Sequence, residues 1–439
     1  MFISLLPDGR VCVGPTLQTV IQKADSVHVG RRQAYRVKNL VSGVTDAEYL
    51  DGFQRLPAYL RALKTATPGT TAEVEVNEDG TFRRLFVVLG PSVTAAMHCL
   101  NVSSLDSSFI KFRYNGQLAI WEFMDPAGRL LPIAFAIFDK ENKENYKWFL
   151  SLCVTSGLGA VINDEGHVVF SDRSKGLIPA LADVTPRTVH MYCTRHIISD
   201  IHPSLSISDR GLVWAIQGAY SHRAYLAAVD TLRKRNVSAA NYIADIPPER
   251  WCLHTAVLHD VRLYGRRTSN NVESENARAL PARDMPVPRM VDRMVCLVAE
   301  LFESGKALAQ KESDSGRIIT QHYMRFYEKN VTDADGWTAI LASPSTGSVT
   351  RPNKPGSSVQ ARFLVDLGKR TCSCGMWRQL GYPCVHAVCL ARRAGVIDGD
   401  VWFTSYFDVK LRVQSSLVQC YAGVIQLPAT IGDHATRKI

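Results

Sequence analysis

The chain has 439 residues, of which 46% are hydrophobic and 21% charged, with a formal net charge of +10. That composition excludes an intrinsically disordered chain, and the length suffices for two or three domains with sizeable cores. The positive excess is modest for this size and by itself favours an acidic partner only weakly. The eleven cysteines are scattered from Cys12 to Cys420 rather than gathered into a short disulfide framework, which fits a reducing compartment. Met1 to Gly14 lacks a basic stretch followed by an apolar one, and no window approaches the apolar length of a membrane span. An intracellular, soluble protein is expected.

Taken in chain order, a helical N-terminal region is expected over 1–70. Its apolar residues recur at helical spacing through Tyr49, Phe53, Leu56, Tyr59, Leu60 and Leu63 and stop at Thr67-Pro-Gly-Thr70. At Thr71 the period changes to two. Ala72–Val76 and Phe82–Leu89 flank Asn77-Glu-Asp-Gly80 as a hairpin, and Leu118–Phe123 and Leu130–Phe138 flank Asp125-Pro-Ala-Gly128 as another. Asn142–Gly157 reads as an amphipathic helix with Tyr146, Phe149, Leu150 and Cys153 inward. A strand at Val168–Ser171, a helix at Lys175–Asp183 and a strand at Thr188–Cys193 follow. A meander that passes into alternating helix and strand predicts an α/β fold on a mixed sheet. Residues 195–260 read as a helical insertion with Trp214 and Trp251 as core anchors, and helices are expected at 270–280 and at Pro286–Ala309. The stretch 311–358 reads as helix and linker, with Ser343–Ser358 an exposed connector rich in Ser, Pro, Gly and Thr.

Thr371-Cys-Ser-Cys-Gly-Met-Trp-Arg-Gln-Leu-Gly-Tyr-Pro-Cys-Val-His386 brings Cys372, Cys374, Cys384 and His386 to a spacing that suits one tetrahedral zinc ion. Three thiolates and one imidazole make a closed, structural ligand set. Only one residue separates the first pair, so on an extended strand both side chains point to the same face. Cys384 and His386 then lie on the turn into an apolar run, Ala387–Ala391, that reads as a helix. This C-x-C, gap, C-x-H arrangement resembles the SWIM zinc finger, a small ββα-like module expected over 359–395, with 396–439 as a tail. Arg362, Lys369, Arg370, Arg378, Arg392 and Arg393 surround it against a single Asp366, so the module is locally basic.

Two aspartates stand at strand ends: Asp106 in Ser104-Leu-Asp-Ser-Ser-Phe109 and Asp172 after Val168-Val-Phe-Ser171. Carboxylates on neighbouring strands can converge on hard cations such as magnesium. The candidate for a third acid is Glu273 in Thr268-Ser-Asn-Asn-Val-Glu-Ser-Glu-Asn276, with Glu275 as competitor. Taken singly, strand-end aspartates serve as turn caps, and Glu273 suits the third position of a capping box begun by Asn270. The combination is what points to a metal site.

Asp106-Ser-Ser-Phe-Ile-Lys111 with Tyr114-Asn-Gly116, Leu131-Pro-Ile-Ala-Phe-Ala136, Glu141-Asn142, Trp148-Phe149, Ser171-Asp-Arg-Ser-Lys-Gly-Leu177, Cys193-Thr-Arg-His196 and Thr268-Ser-Asn-Asn-Val-Glu273 with Asn276 occur in this order. Together they resemble the motifs of Mutator-like element (MULE) transposases. Arg32-Gln-Ala-Tyr-Arg36, Pro57-Ala-Tyr-Leu60 and Pro68-Gly-Thr70 are similar to the region that precedes the catalytic core in that family, and the SWIM finger is its usual C-terminal partner.

The resemblance implies a ribonuclease H-like catalytic domain over 71–310, with the helical insertion at about 195–260. It also implies Asp106, Asp172 and Glu273 as ligands of two catalytic magnesium or manganese ions, beside the structural zinc. Cys193 and His196 would position donor DNA, with core packing as the other reading of Cys193. The implied activity is cleavage of element ends and their joining to target DNA, so the expected partners are double-stranded DNA and a second copy of the chain. Residence in the nucleus would follow from that substrate. Three features depart from the family pattern. Ser107 and Ser108 replace its glycine and threonine, Glu275 stands beside Glu273, and no cysteine–histidine or basic module precedes residue 30. The last favours an alternative, a domesticated or decayed derivative that binds DNA or regulates transcription without cutting.

Overall fold

The computed structural model describes residues 45–201, 205–256, 261–268, 280–351, 361–396 and 403–433. Helix α1 (Asp46–Ala66) starts at a capping box in which Thr45 Oγ1 accepts from Glu48 N at 3.1 Å and Glu48 Oε2 accepts from Thr45 N at 2.8 Å. Leu56, Tyr59, Leu60 and Leu63, the helical stripe read from the sequence, are buried. The period-two segments form β1 (Thr71–Val76) and β2 (Phe82–Val88), and after α2 (Gly90–His98) come β3 (Val102–Phe109), β4 (Gln117–Met124) and β5 (Leu130–Phe138). Helix α3 (Lys143–Cys153) is capped by Asn142, whose side chain accepts from Asn145 N. It buries Tyr146, Phe149, Leu150 and Cys153 as its pattern predicts. Then β6 (Val168–Ser171), α4 (Leu177–Val184) and β7 (Val189–Tyr192) complete the alternation.

These strands make one seven-stranded sheet in the order β1-β2-β5-β4-β3-β6-β7. β1 to β5 pair antiparallel, while β6 runs parallel to β3 and β7 parallel to β6. The central strands β4 and β5 are buried along their whole length because both faces are covered. One face packs on a core that joins α1, α3 and the long helix α9 (Val287–Asp314) through Leu56, Phe149, Met290 and Met294. On the other face Val102, Val168, Phe170 and Met191 share a second core with Trp377 and Leu390. Helices α5 (Thr194–Ile201), α6 (Ile207–Gln217), α7 (His222–Arg235) and α8 (Val237–Ala244) enclose a third core around the fully buried Trp251. No helix among the described residues is long and apolar enough to cross a membrane.

After α10 (Gln321–Asp333), a small antiparallel sheet of β8 (Thr338–Leu341), β9 (Thr346–Thr350), β10 (Arg362–Asp366) and β11 (Thr371–Cys372) carries the two finger helices α11 (Met376–Leu380) and α12 (Val385–Arg393). Three expectations are corrected here. Thr346–Thr350, read as exposed connector, is a central strand paired on both sides. Its glycine suits the crowding, since a Cβ on Gly347 would strike Ile340 O and Leu390 Cδ1. Trp214, expected as a core anchor, is half-buried and lies 5.1 Å under the Arg267 guanidinium. The strand holding Cys372 ends there, and Cys374 sits in a turn rather than on the same extended segment. Residues 270–279 of the helix expected at 270–280, and residues 1–44, lie outside the described residues.

The C-terminal segment is fastened to the sheet by a buried carboxylate. Asp125 accepts from Ala127 N and Arg129 N at 2.8 Å, from Arg129 Nε at 2.9 Å and from Tyr421 Oη at 2.6 Å. Tyr421→Phe removes one donor from a group with no access to water, which costs about 1.5–3 kcal/mol for a bond to a charged partner. Urea denaturation should show a loss of that size, and an unchanged midpoint would mean that the tail is held by its apolar contacts alone.

Candidate active site and zinc centre

The parallel ladder decides where the two aspartates lie. Ser104 pairs with Phe170 across β3 and β6, and Ser171 pairs with Tyr192 across β6 and β7. Carried two residues further, the first register sets Asp106 level with Asp172. Carried one residue further, the second sets Asp172 level with Cys193. Neighbouring strands lie about 4.8 Å apart and side chains of one parity share a face, so three adjacent strands present Asp106, Asp172 and Cys193 in a row. Oδ1 of Asp106 accepts from Ser107 N at 3.0 Å, and Oδ1 of Asp172 accepts from Ser174 N at 3.1 Å. Burial, with the negative charges of Asp172 and Glu141, pushes the Asp106 carboxyl above its ordinary range, while the His196 charge opposes that shift. The hydrogen bond to Cys193, followed by the nearby aspartates, raises His196 to about 9. The imidazole one helical turn beyond Cys193 thus brings a positive charge to the two aspartates.

The chain returns to this edge just before the segment that carries the third candidate. Arg266 donates from Nη2 to Ser104 Oγ at 2.9 Å and from Nε to Thr268 O at 3.0 Å, and Thr194 Oγ1 donates to Arg267 O at 3.2 Å. Beyond the segment, Lys111 N, just past β3, donates to Arg283 O at 2.8 Å. Residues on both sides of 269–279 are therefore tied to the carboxylate end of the parallel strands. Glu273 and Glu275 themselves lie outside the described residues.

The four finger ligands converge as their spacing predicts. Among the described residues, Cys372, Cys374, Cys384 and His386 form the one group of three or more such side chains whose ligand atoms all lie within 4.8 Å of one another. Cys374 Sγ is 3.6 Å from Cys384 Sγ, and His386 Nδ1 is 3.6 Å from Cys372 Sγ and 4.0 Å from Cys384 Sγ. A tetrahedron with Zn–S bonds of about 2.3 Å and a Zn–N bond of about 2.05 Å has S···S edges near ~3.8 Å and S···N edges near ~3.6 Å, so the residues fit zinc. Gly375, at φ 74°, turns the chain after Cys374, and Cys384 is the N-cap of α12. The imidazole is fixed by stacking on Phe363 at 3.9 Å and by the Trp337 edge at 4.4 Å, which leaves Nδ1 toward the sulfurs.

Residues 102–200, from β3 through α5, match the family model described as MULE transposase domain, and residues 363–395 match that of the SWIM zinc finger. This chain carries a MULE transposase domain and a SWIM zinc finger. Two Arabidopsis thaliana proteins are similar to it over part of its length: Protein FAR-RED IMPAIRED RESPONSE 1, 24% identical over 148 residues, and Protein FAR1-RELATED SEQUENCE 6, 22% identical over 147. Each match covers 34% of this chain but only 17% and 20% of the respective relative, so the chain spans at most a fifth of the length of these curated relatives.

Within the MULE domain the structure adds residues that motif reading left without a role. Ser107 Oγ donates to Glu141 and lies 3.1 Å from the Tyr146 hydroxyl. Glu141 is thereby held beside Asp106, although its only signal in the sequence was the Glu141-Asn142 pair. Arg173, next to Asp172, donates to Asp200 at 2.6 Å and stacks over Tyr242 at 5.1 Å, tying the end of β6 to the helical insertion. Arg267 packs the returning chain on Trp214 of α6. The SWIM finger covers the same sheet face that carries Asp106 and Asp172, through the core it shares with Val168 and Phe170.

Proposed function

We propose that this chain is a Mutator-like DNA transposase with a ribonuclease H-like core, and that Asp106, Asp172 and Glu273 hold two magnesium or manganese ions. The observation that carries the reading is the parallel register of β3 on β6 inside the matched domain, which, extended two residues past its last pair, sets Asp106 level with Asp172. The order β5-β4-β3-β6-β7, antiparallel for its first three strands and parallel for its last two, supports the ribonuclease H-like assignment. Divalent ions held by these acids would supply activation of a water or a 3′ hydroxyl and neutralisation of charge on the leaving oxygen of a phosphodiester. The protein's own residues supply the rest. The sheet fixes the spacing of the aspartates, Ser107 holds Glu141 at the rim, and His196 adds a positive charge toward the phosphate path. Cys193 and His196 act on donor DNA, and zinc fastens the finger that assists DNA or protein binding. Double-stranded DNA is the partner, held by a self-associated chain in the nucleus.

The third acid gives a direct test. Glu273→Gln should remove magnesium-dependent strand cleavage of terminal-repeat DNA, while Glu275→Gln should keep it. The opposite pattern would transfer the role to Glu275, and loss in neither variant would remove this segment from the site.

A second reading is favoured by the relatives, one of which is named for an impaired response to far-red light rather than for transposition. On that reading the chain is a domesticated, non-catalytic DNA-binding protein that regulates transcription. Its acids would then be silent, and cleavage would be absent from the unmodified chain.

A further inference from the structure

At the end of the parallel strands opposite the acids, the core and the finger enclose a cleft of about 410 Å³. Asn101 and Gly166, which precede β3 and β6, form its floor, and the finger and the C-terminal segment form its walls. Four cations line it, Arg262, Lys369, Arg370 and Arg378, against one carboxylate, Asp408. That carboxylate is already engaged by Arg262, by the Tyr264 hydroxyl at 2.9 Å and by Lys410 N at 2.9 Å. Asp164, beside the floor, turns back to accept from Gly166 N at 2.8 Å. The Lys369 ammonium lies 4.0 Å from Asp366, with its side chain 82% exposed.

An independent observation marks the same cleft. Among the described residues, Tyr264 and Arg370 are the two non-glycine positions with positive φ, at 50° and 55°, and both line it. Arg370 closes the turn between β10 and β11, where glycine or asparagine would adopt that backbone with less strain. Its guanidinium instead lies 5.7 Å over the Tyr406 ring, which itself packs 5.6 Å from Trp377. Strain retained where a less strained residue would fit is a mark of function rather than of folding.

The geometry points to a second DNA site, in which Lys369, Arg370 and Arg378 grip the phosphodiester backbone of a duplex while Arg262 balances Asp408. It rests on the reading of this chain as a DNA-binding protein, and it is distinct from the carboxylate edge. Val168, where β6 begins beside Gly166, lies four residues before Asp172, roughly 13 Å at ~3.3 Å per residue. Contacts to backbone phosphates carry no base information but set affinity and register, so the cleft orients a duplex segment whose sequence is read elsewhere.

The test uses the full chain with zinc bound and a double variant, Lys369→Gln with Arg370→Asn, in which asparagine tolerates the left-handed backbone. Duplex affinity is measured from 50 to 200 mM salt. Losing two phosphate contacts should make the slope of log K against log salt shallower by about 1.8 and weaken binding at the low-salt end. The melting temperature should stay the same or rise, which separates lost contacts from lost fold. An unchanged slope in a folded variant overturns the cleft as a DNA site. So does titratable binding of inorganic phosphate alone that vanishes in the variant while its duplex slope is kept. A parent chain with no salt-dependent duplex binding at any concentration overturns the DNA-binding reading itself.

Discussion

Chelation of zinc is expected to unfold the finger and to strip one face of the large sheet. Cys372, Cys374, Cys384 and His386 are all buried, and they sit on a two-residue strand, a turn, and the N-cap and first turn of α12, with only a five-residue helix between the two pairs. Pieces of that size do not hold together by propensity alone. Structural zinc in finger peptides contributes ~10–16 kcal/mol of folding free energy, as much as a typical domain's entire stability. Trp377 and Leu390 of the finger belong to the same core as Val168 and Phe170 of β6, so the loss extends beyond the finger. Hydrogen exchange with and without chelator should lose protection across 361–396, with a lesser loss along β6. Protection retained over 361–396 would show that the thiols and the imidazole pack without an ion.

How legible these features were in the sequence follows the distance over which each is built. The zinc ligands fall within fifteen residues, so spacing alone delivered them. The aspartates are far apart in sequence, and their motifs named them. Only the parallel register of β3 on β6 makes them neighbours, and pairing of that kind is not written in either segment. Cys374 misled the alternation rule because Gly375 bends the chain immediately after it. Thr346–Thr350 has a turn-like composition and becomes a strand through its two neighbours and the burial of Val349, a case of tertiary context overriding propensity. Helix stripes were read well wherever one face was apolar, as in α1, α3 and α9. Trp214 failed that logic because its partner is a guanidinium from a distant loop rather than the core. Glu141 stood in a recognised pair but had no chemistry until Ser107 was seen to hold it beside Asp106.

The second large effect concerns Asp172. Its carboxylate stands at the end of a buried strand, level with Asp106 by register, and among the described residues it has a turn hydrogen bond from Ser174 N and the nearby His196 charge to lose. Asp172→Ala should therefore leave the melting temperature within a few degrees and duplex binding largely intact. On the proposed reading it removes one of the three carboxylates that would hold the divalent ions. Metal-supplied stabilisation of several kcal/mol corresponds to a rate loss of about 10³-fold or more, since each 1.36 kcal/mol is tenfold. The decisive measurement is strand cleavage of terminal-repeat duplex in magnesium or manganese, run on the unmodified chain, on Asp106→Ala and on Asp172→Ala at equal DNA occupancy. The account predicts metal-dependent nicks with 3′ hydroxyl ends from the unmodified chain alone. Equal cleavage by the folded Asp172→Ala protein, or none from the unmodified chain with either metal, would contradict it.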